Sequence, residues 1–174
     1  MSENKGAYTK KVINHFRNPQ NYGKMKNPDG IGKVGNLACG DIMWLYIRVA
    51  KNKKGKEVIK DIKFETFGCV AALATSSAVT GLAKGKTINE AIKIKKEKII
   101  GSLGGLPNVK IHCSVLASDA LIEAIYDYLS KNDRKVPKIV EEKHKRVKKE
   151  REIIEKKYKD WVKTEESMIA KSKK

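Results

Sequence analysis

Apolar positions recur along the first 130 residues in two rhythms, one helical and one alternating. Tyr8, Val12, Ile13 and Phe16 fall near one face of a helix spanning residues 5 to 17, which Asn18-Pro19 stops. Ile42 to Lys51 and Val58 to Phe67 are rich in β-forming residues and are separated by Asn52-Lys53-Lys54-Gly55, a good hairpin connection. The stretch between that helix and the strands, Gln20 to Leu37, is rich in Gly, Asn and Pro and reads as a long loop. The helical rhythm then returns. Ala71 to Lys84 reads as a small-residue helix, Thr87 as an N-cap with Glu90 three residues later, and short helical pieces run to about Gly101. Cys113 to Leu129 reads as a long helix with Val115, Leu116, Leu121, Ile122, Ile125 and Leu129 available for packing. This order predicts an α+β fold, a small antiparallel sheet of about three strands with helices packed over one face.

From Lys131 onward the pattern thins to Lys and Glu with spaced apolar residues, Val147, Ile153, Ile154, Tyr158, Trp161 and Val162. We expect one domain over residues 1–130 and a basic helical extension over 131–174, its apolar positions packing on the domain or on a partner. Disorder is the competing reading for that tail. The extension holds 17 basic and 9 acidic residues, and the whole chain carries a formal charge of +18. Lysines alternate with glutamates instead of forming an arginine-rich stripe interleaved with aromatics, so nucleic acid is disfavoured as a partner. Acidic protein partners suit the excess charge better, because electrostatic attraction speeds their encounter. No apolar run approaches membrane-spanning length. An odd number of cysteines, with no signal-peptide apolar region, argues against a secreted disulfide framework and for a reducing compartment, with a cytoplasmic location as the default.

The candidate chemistry lies in the three thiols. Cys39 sits in Gly35-Asn36-Leu37-Ala38-Cys39-Gly40-Asp41, where glycines let the backbone turn and leave a sulfur accessible. Cys69 follows Gly68 where a strand pattern becomes a helix pattern, and Cys113 follows His112 and opens the last long helix. At a helix N-terminus, unpaired N–H groups and the helix dipole favour thiolate, the form that binds soft metals and attacks sulfur. Three thiols do not close a four-ligand site. Asp41 and His112 are the nearest further donors, and a harder carboxylate or imidazole would make the fourth bond exchangeable. Each has a plainer reading too, Asp41 as a turn carboxylate and His112 as a hydrogen-bonding neighbour. Lys110 either balances the charge of a thiolate-rich site or is a simple surface lysine. No C-x-x-C pair occurs, which argues against a closed structural zinc site.

Four ordered segments carry a family resemblance: Tyr8 to Asn21 (YTKKVINHFRNPQN), Ala38-Cys39-Gly40-Asp41, Phe64 to Ser77 (FETFGCVAALATSS) and Leu106 to Ala120 (LPNVKIHCSVLASDA). Over residues 7 to 130 the chain resembles the IscU-type iron–sulfur cluster assembly scaffolds, the family that includes the N-terminal domain of NifU. The resemblance implies a non-enzymatic scaffold that takes persulfide sulfur from a cysteine desulfurase, takes up iron, holds a transient [2Fe-2S] cluster and passes it to recipient apo-proteins. It implies Cys39, Cys69 and Cys113 as ligands, with Asp41 or His112 completing the set, and zinc at the same ligands in isolated protein. It also implies Cys113 as persulfide acceptor, with Cys39 the second candidate. The alternative is a zinc-bound, SufU-like sulfur acceptor that activates a desulfurase. His112 before Cys113 favours the IscU type. Two departures stand out. Val70 and Ala71 replace the family's Gly and small polar residue after the second cysteine. The family's LPPVK loop, which docks a dedicated Hsp70-type chaperone, reads Leu106-Pro107-Asn108-Val109-Lys110 here, which puts that partnership in question. The residues leave self-association into a homo-oligomer open.

Overall fold

The computed structural model describes residues 7–36 and 40–172, with side chains as far as 159. Cys39, Trp161 and Val162, singled out above, fall outside the described backbone or side chains. Helix α1, Lys10–Arg17, begins later than the apolar pattern suggests. Thr9 holds an extended backbone and its hydroxyl accepts the Val12 N–H at 3.1 Å, capping the helix and leaving Tyr8 outside it.

Three antiparallel strands follow in the order β1 (Gly30–Gly35), β2 (Ile42–Lys51) and β3 (Glu57–Phe67). The first strand corrects the expectation of a long loop from Gln20 to Leu37. Its inward positions are Gly30, Gly32 and Val34, so two of the three residues that would announce a strand have no side chain. The reason is the helix above them. Helix α5, Ile111–Lys131, crosses β1 so closely that a Cβ on Gly32 would overlap the Ala120 carbonyl oxygen and come within 2.8 Å of the Ala124 nitrogen. Asp127, on the same helix, accepts the Ile31 N–H at 2.8 Å. The other two strands match their pattern: Met43, Leu45 and Ile47 of β2 and Ile59, Ile62 and Phe64 of β3 are buried. Their hairpin turns at Asn52, whose side-chain oxygen accepts the Lys54 and Lys56 N–H groups, with Gly55 at a φ of 73°.

Helix α2, Val70–Ala83, lies between α1, α5 and β3 and is buried on nearly every face, which its small residues permit. Two short helices follow, α3 (Ile88–Ala91), with the expected Thr87–Glu90 capping box, and α4 (Lys96–Ser102). A single 3-10 turn over Asn108–Lys110 leads into α5. Among the described residues no helix is long and apolar enough to cross a membrane.

The tail forms one helix, α6, Lys138–Ser172. Val140 and Val147 are buried and Ile154 follows seven residues later, so one stripe of the helix faces α5 and then β1. Two polar contacts flank the stripe, a hydrogen bond between His144 and Glu123 at 3.0 Å and an ion pair of Arg146 with Asp119 at 2.7 Å, and the His144 ring stacks on Tyr126 at 3.6 Å. Burial pushes both α5 carboxyls above their usual range, while His144 and Arg146 pull them back down. Without its partner, each of these carboxylates would be a buried charge.

Gly32→Ala forces α5 off β1 and should cost about 3 kcal/mol in urea unfolding, whereas Gly101→Ala, in open space inside α4, should gain up to about 1 kcal/mol. His144→Ala strands Glu123 and should cost about 3 kcal/mol. Adding Glu123→Gln to that variant should recover part of the loss, while the same change in the parent chain should bring no gain.

Candidate metal centre

Two helix N-termini and the first residues of a strand converge at one end of the sheet. Cys69 is the N-cap residue of α2 and Cys113 stands in the first turn of α5, as the sequence pattern anticipated. Asp41 immediately precedes β2 and is 3 % exposed. On the chain flanking Cys39, the Gly40 N–H donates to the Asn36 carbonyl and the Asn36 N–H to the Asp41 carbonyl, each at 2.9 Å. Asn36 and Gly40 are therefore tied to each other beside Asp41.

The donor atoms lie close together. The Cys69 and Cys113 sulfurs are 3.8 Å apart, and Asp41 Oδ2 stands 3.9 Å from the first and 3.7 Å from the second. His112 Nε2 is 3.5 Å from the Cys113 sulfur, and one donor atom from each of Asp41, His112 and Cys113 lies within 4.8 Å of the others. Metal–sulfur bonds of about 2.3 Å place two sulfurs of a tetrahedron roughly 3.8 Å apart, with sulfur–oxygen edges slightly shorter. The sulfur pair already stands at that spacing, and Asp41 lies within a few tenths of an ångström of it. Four of the five expected donors are thus brought together, and the fifth, Cys39, lies outside the described residues.

Electrostatics favours a cation there. Were both thiols ionised, two thiolates and a carboxylate would crowd within 4 Å in a largely buried place, and only a positive charge offsets that repulsion. Lys110 supplies part of it from the rim. Its ammonium is held above its usual range first by Cys69 and then by Tyr8, which favours the charge-balancing reading over that of a simple surface lysine.

Tyr8 was missed as a site residue, because its position suggested only an apolar helix face. It packs with Leu106 over the small cluster of Ala71, Ala72 and Cys113, and its phenol is raised by burial and by the neighbouring Cys69. Its place in the first shared segment was the available signal. Of the two described thiols, Cys113 is fully buried and Cys69 is partly exposed. The helix end that favours thiolate also sits beneath Tyr8 and Leu106, and no sequence pattern marks such a cover.

Gly68 admits Asp41. A Cβ there would lie 2.8 Å from the carboxylate oxygen Oδ1 and 2.9 Å from the Ala72 Cβ. Behind the site, the Thr75 hydroxyl lies 3.1 Å from the Cys113 carbonyl and 2.8 Å from that of Ala71, which locks the two helix ends together.

Fold and donor set together define a thiol-based metal-binding domain of the α+β class. Residues 7–135 match the NifU-like N terminal domain family, and the chain belongs to that family. It is 55 % identical over 134 residues to the iron-sulfur cluster assembly scaffold protein IscU 1 of Archaeoglobus fulgidus, covering 77 % of this chain and 84 % of that one. It is 50 % identical over 132 residues to the iron-sulfur cluster assembly scaffold protein IscU of Escherichia coli, covering 74 % of this chain and 99 % of that one. The N-terminal part of a nitrogen-fixing NifU-like protein from Brucella abortus shares the fold, with a TM-score of 0.57 at 18 % identity over 71 % of this chain and 94 % of that one.

Gly68→Ala should displace the Asp41 carboxylate and weaken zinc binding about tenfold, with the helix content retained. Competition with a chelator, read beside circular dichroism, measures both.

Proposed function

We propose that this protein is a non-enzymatic scaffold on which an iron–sulfur cluster is assembled from sulfide and iron and then handed to recipient proteins. The observation that supports this reading best is the donor set itself, two sulfurs at a tetrahedral edge with a buried carboxylate and an imidazole against them. Thiolates hold the iron, and the harder oxygen or nitrogen donor is the bond that lets go. The names of relatives at 50 and 55 % identity support it as well.

Within that reading the cargo is a [2Fe-2S] cluster held by Cys39, Cys69 and Cys113, with Asp41 or His112 as fourth ligand. Sulfur arrives from a cysteine desulfurase. The Cys113 thiolate attacks the terminal sulfur of the donor's persulfide, the donor's S–S bond breaks, and the donor leaves as a thiolate while Cys113 becomes the persulfide. An external reductant then supplies two electrons to release sulfide. Because Cys113 is buried, this step needs Tyr8 and Leu106 to move aside, and Cys39 is the second acceptor candidate. Exposed Phe67 and Ile42, paired across β2 and β3 next to Cys69 and Asp41, and exposed Val109 before His112, give the donor an apolar landing surface at the rim. A reducing compartment such as the cytoplasm suits this chemistry. The same mixed donors also fit zinc, so a zinc-bound sulfur acceptor that activates a desulfurase is the second reading.

Anaerobic reconstitution with iron, cysteine and a cysteine desulfurase separates the two. The expected outcome is a visible sulfide-to-iron charge-transfer band with matching iron and sulfide counts, lost in each of Cys39→Ala, Cys69→Ala and Cys113→Ala and longer-lived in Asp41→Ala. Zinc without sulfide, together with faster desulfurase turnover, would replace the scaffold with the acceptor.

A further inference from the structure

Helix α6 does more than extend the domain: its far turns reach the candidate site. The match to the Escherichia coli relative covers 99 % of that protein but only 74 % of this chain, so the shared domain does not account for this helix. Beyond Val147 the helix continues along β1, and Ile154 Cδ1 lies 3.4 Å from where a Cβ on Gly35 would stand, an ordinary van der Waals approach. There Ile154, Lys157 and Tyr158 form one wall of a cavity of about 500 Å³ whose other wall is Gly35, Asp41 and Ile42. Asp41 lines this cavity and its carboxylate stands against both described sulfurs, so the cavity borders the donor cluster on the β1 side.

The two halves of the helix are held differently. Val140, Val147, two polar contacts and a ring stack fix the near half on α5. In the far half Ile154 makes the apolar contact, while Ile153 is 42 % exposed and Tyr158 67 % exposed. We propose that the far turns of α6 are an intramolecular wall over the Asp41 side of the site, and that Ile154 and Tyr158 set how fast bound metal or cluster is lost. This rests on the scaffold reading only for the cluster; for a bound metal ion it stands on the geometry alone.

The test uses full-length, zinc-loaded protein and follows zinc release to a chromogenic chelator, with the alkylation rate of Cys69 in the metal-free protein measured by peptide mass. Ile154→Ser and Tyr158→Ala should each speed both several-fold, and Ile153→Ser, on the exposed side, should leave both unchanged. Unchanged rates in the first two variants would overturn the wall, also where circular dichroism shows that the far turns have frayed. Equal acceleration by Ile153→Ser would overturn it too, because helix loosening alone would then suffice. Tyr158 is exposed enough that its loss leaves the domain folded, so the pair stays informative if Ile154→Ser disturbs packing. Zinc release in the variants reads the wall, whereas sulfide content of the reconstituted parent reads the scaffold, so the two ideas fail separately.

Discussion

The contact that governs this structure is the near-touching passage of α5 over β1. Gly30 and Gly32 present bare backbone to the Ala120 and Ala124 turns of the helix, so helix and strand approach more closely than side chains allow. That closeness sets the height of the whole helix above the sheet. It carries the first turn of α5, with His112 and Cys113, down to the end of the sheet where Asp41 enters β2 and Cys69 leaves β3. Raised by even one methyl group, the helix would lift its thiol away from a carboxylate now 3.7 Å distant. The site is therefore a consequence of packing more than of local motif. Its residues lie up to 72 positions apart, and the glycines that join them are not among the donors.

The cost of that convergence is electrostatic. Two helix ends supply partial positive charge to Cys69 and Cys113, and Lys110 adds a full charge from the rim. Were both thiols ionised, these would offset the thiolate pair but not the pair plus a buried carboxylate, and a bound cation would balance the rest. The chain as a whole carries a formal charge of +18, so these donors belong to a strongly basic protein. A net positive charge favours encounter with acidic proteins in general, and the rim of the site, Ile42, Phe67 and Val109, is apolar.

What could be read from the chain follows the same physics. Helices with a repeating apolar face, the β2–β3 hairpin, the Thr87 cap and the placement of two cysteines at helix ends were legible, because each is written in nearby residues. Strand β1 was not, since Gly30-Ile31-Gly32-Lys33-Val34-Gly35 reports its burial through an absence of side chains, and only the helix opposite explains it. Asp41 and His112 were legible as further donors beside the cysteines, and the family resemblance implied the same set, but their meeting in space is set by packing that no local pattern states. The burial of Cys113 beneath Tyr8 belonged to neither source, because it depends on where α1 begins, and Thr9 decides that by capping one residue after the tyrosine.

Helix α6 shows how a charged extension becomes part of a fold. Its surface pairs, Lys145 with Glu141 and Arg146 with Glu150, are exposed and contribute little beyond helix formation. Docking comes from the stripe at seven-residue spacing and from the two carboxylates of α5, each held above its usual range by burial. Those carboxylates disfavour any state in which α5 stays packed but His144 and Arg146 leave. The near half of α6 is consequently committed to the domain by buried charge, whereas the far half approaches β1 beside Asp41 through Ile154. The charged extension thus joins the fold through its near half and meets the cavity beside Asp41 with its far one.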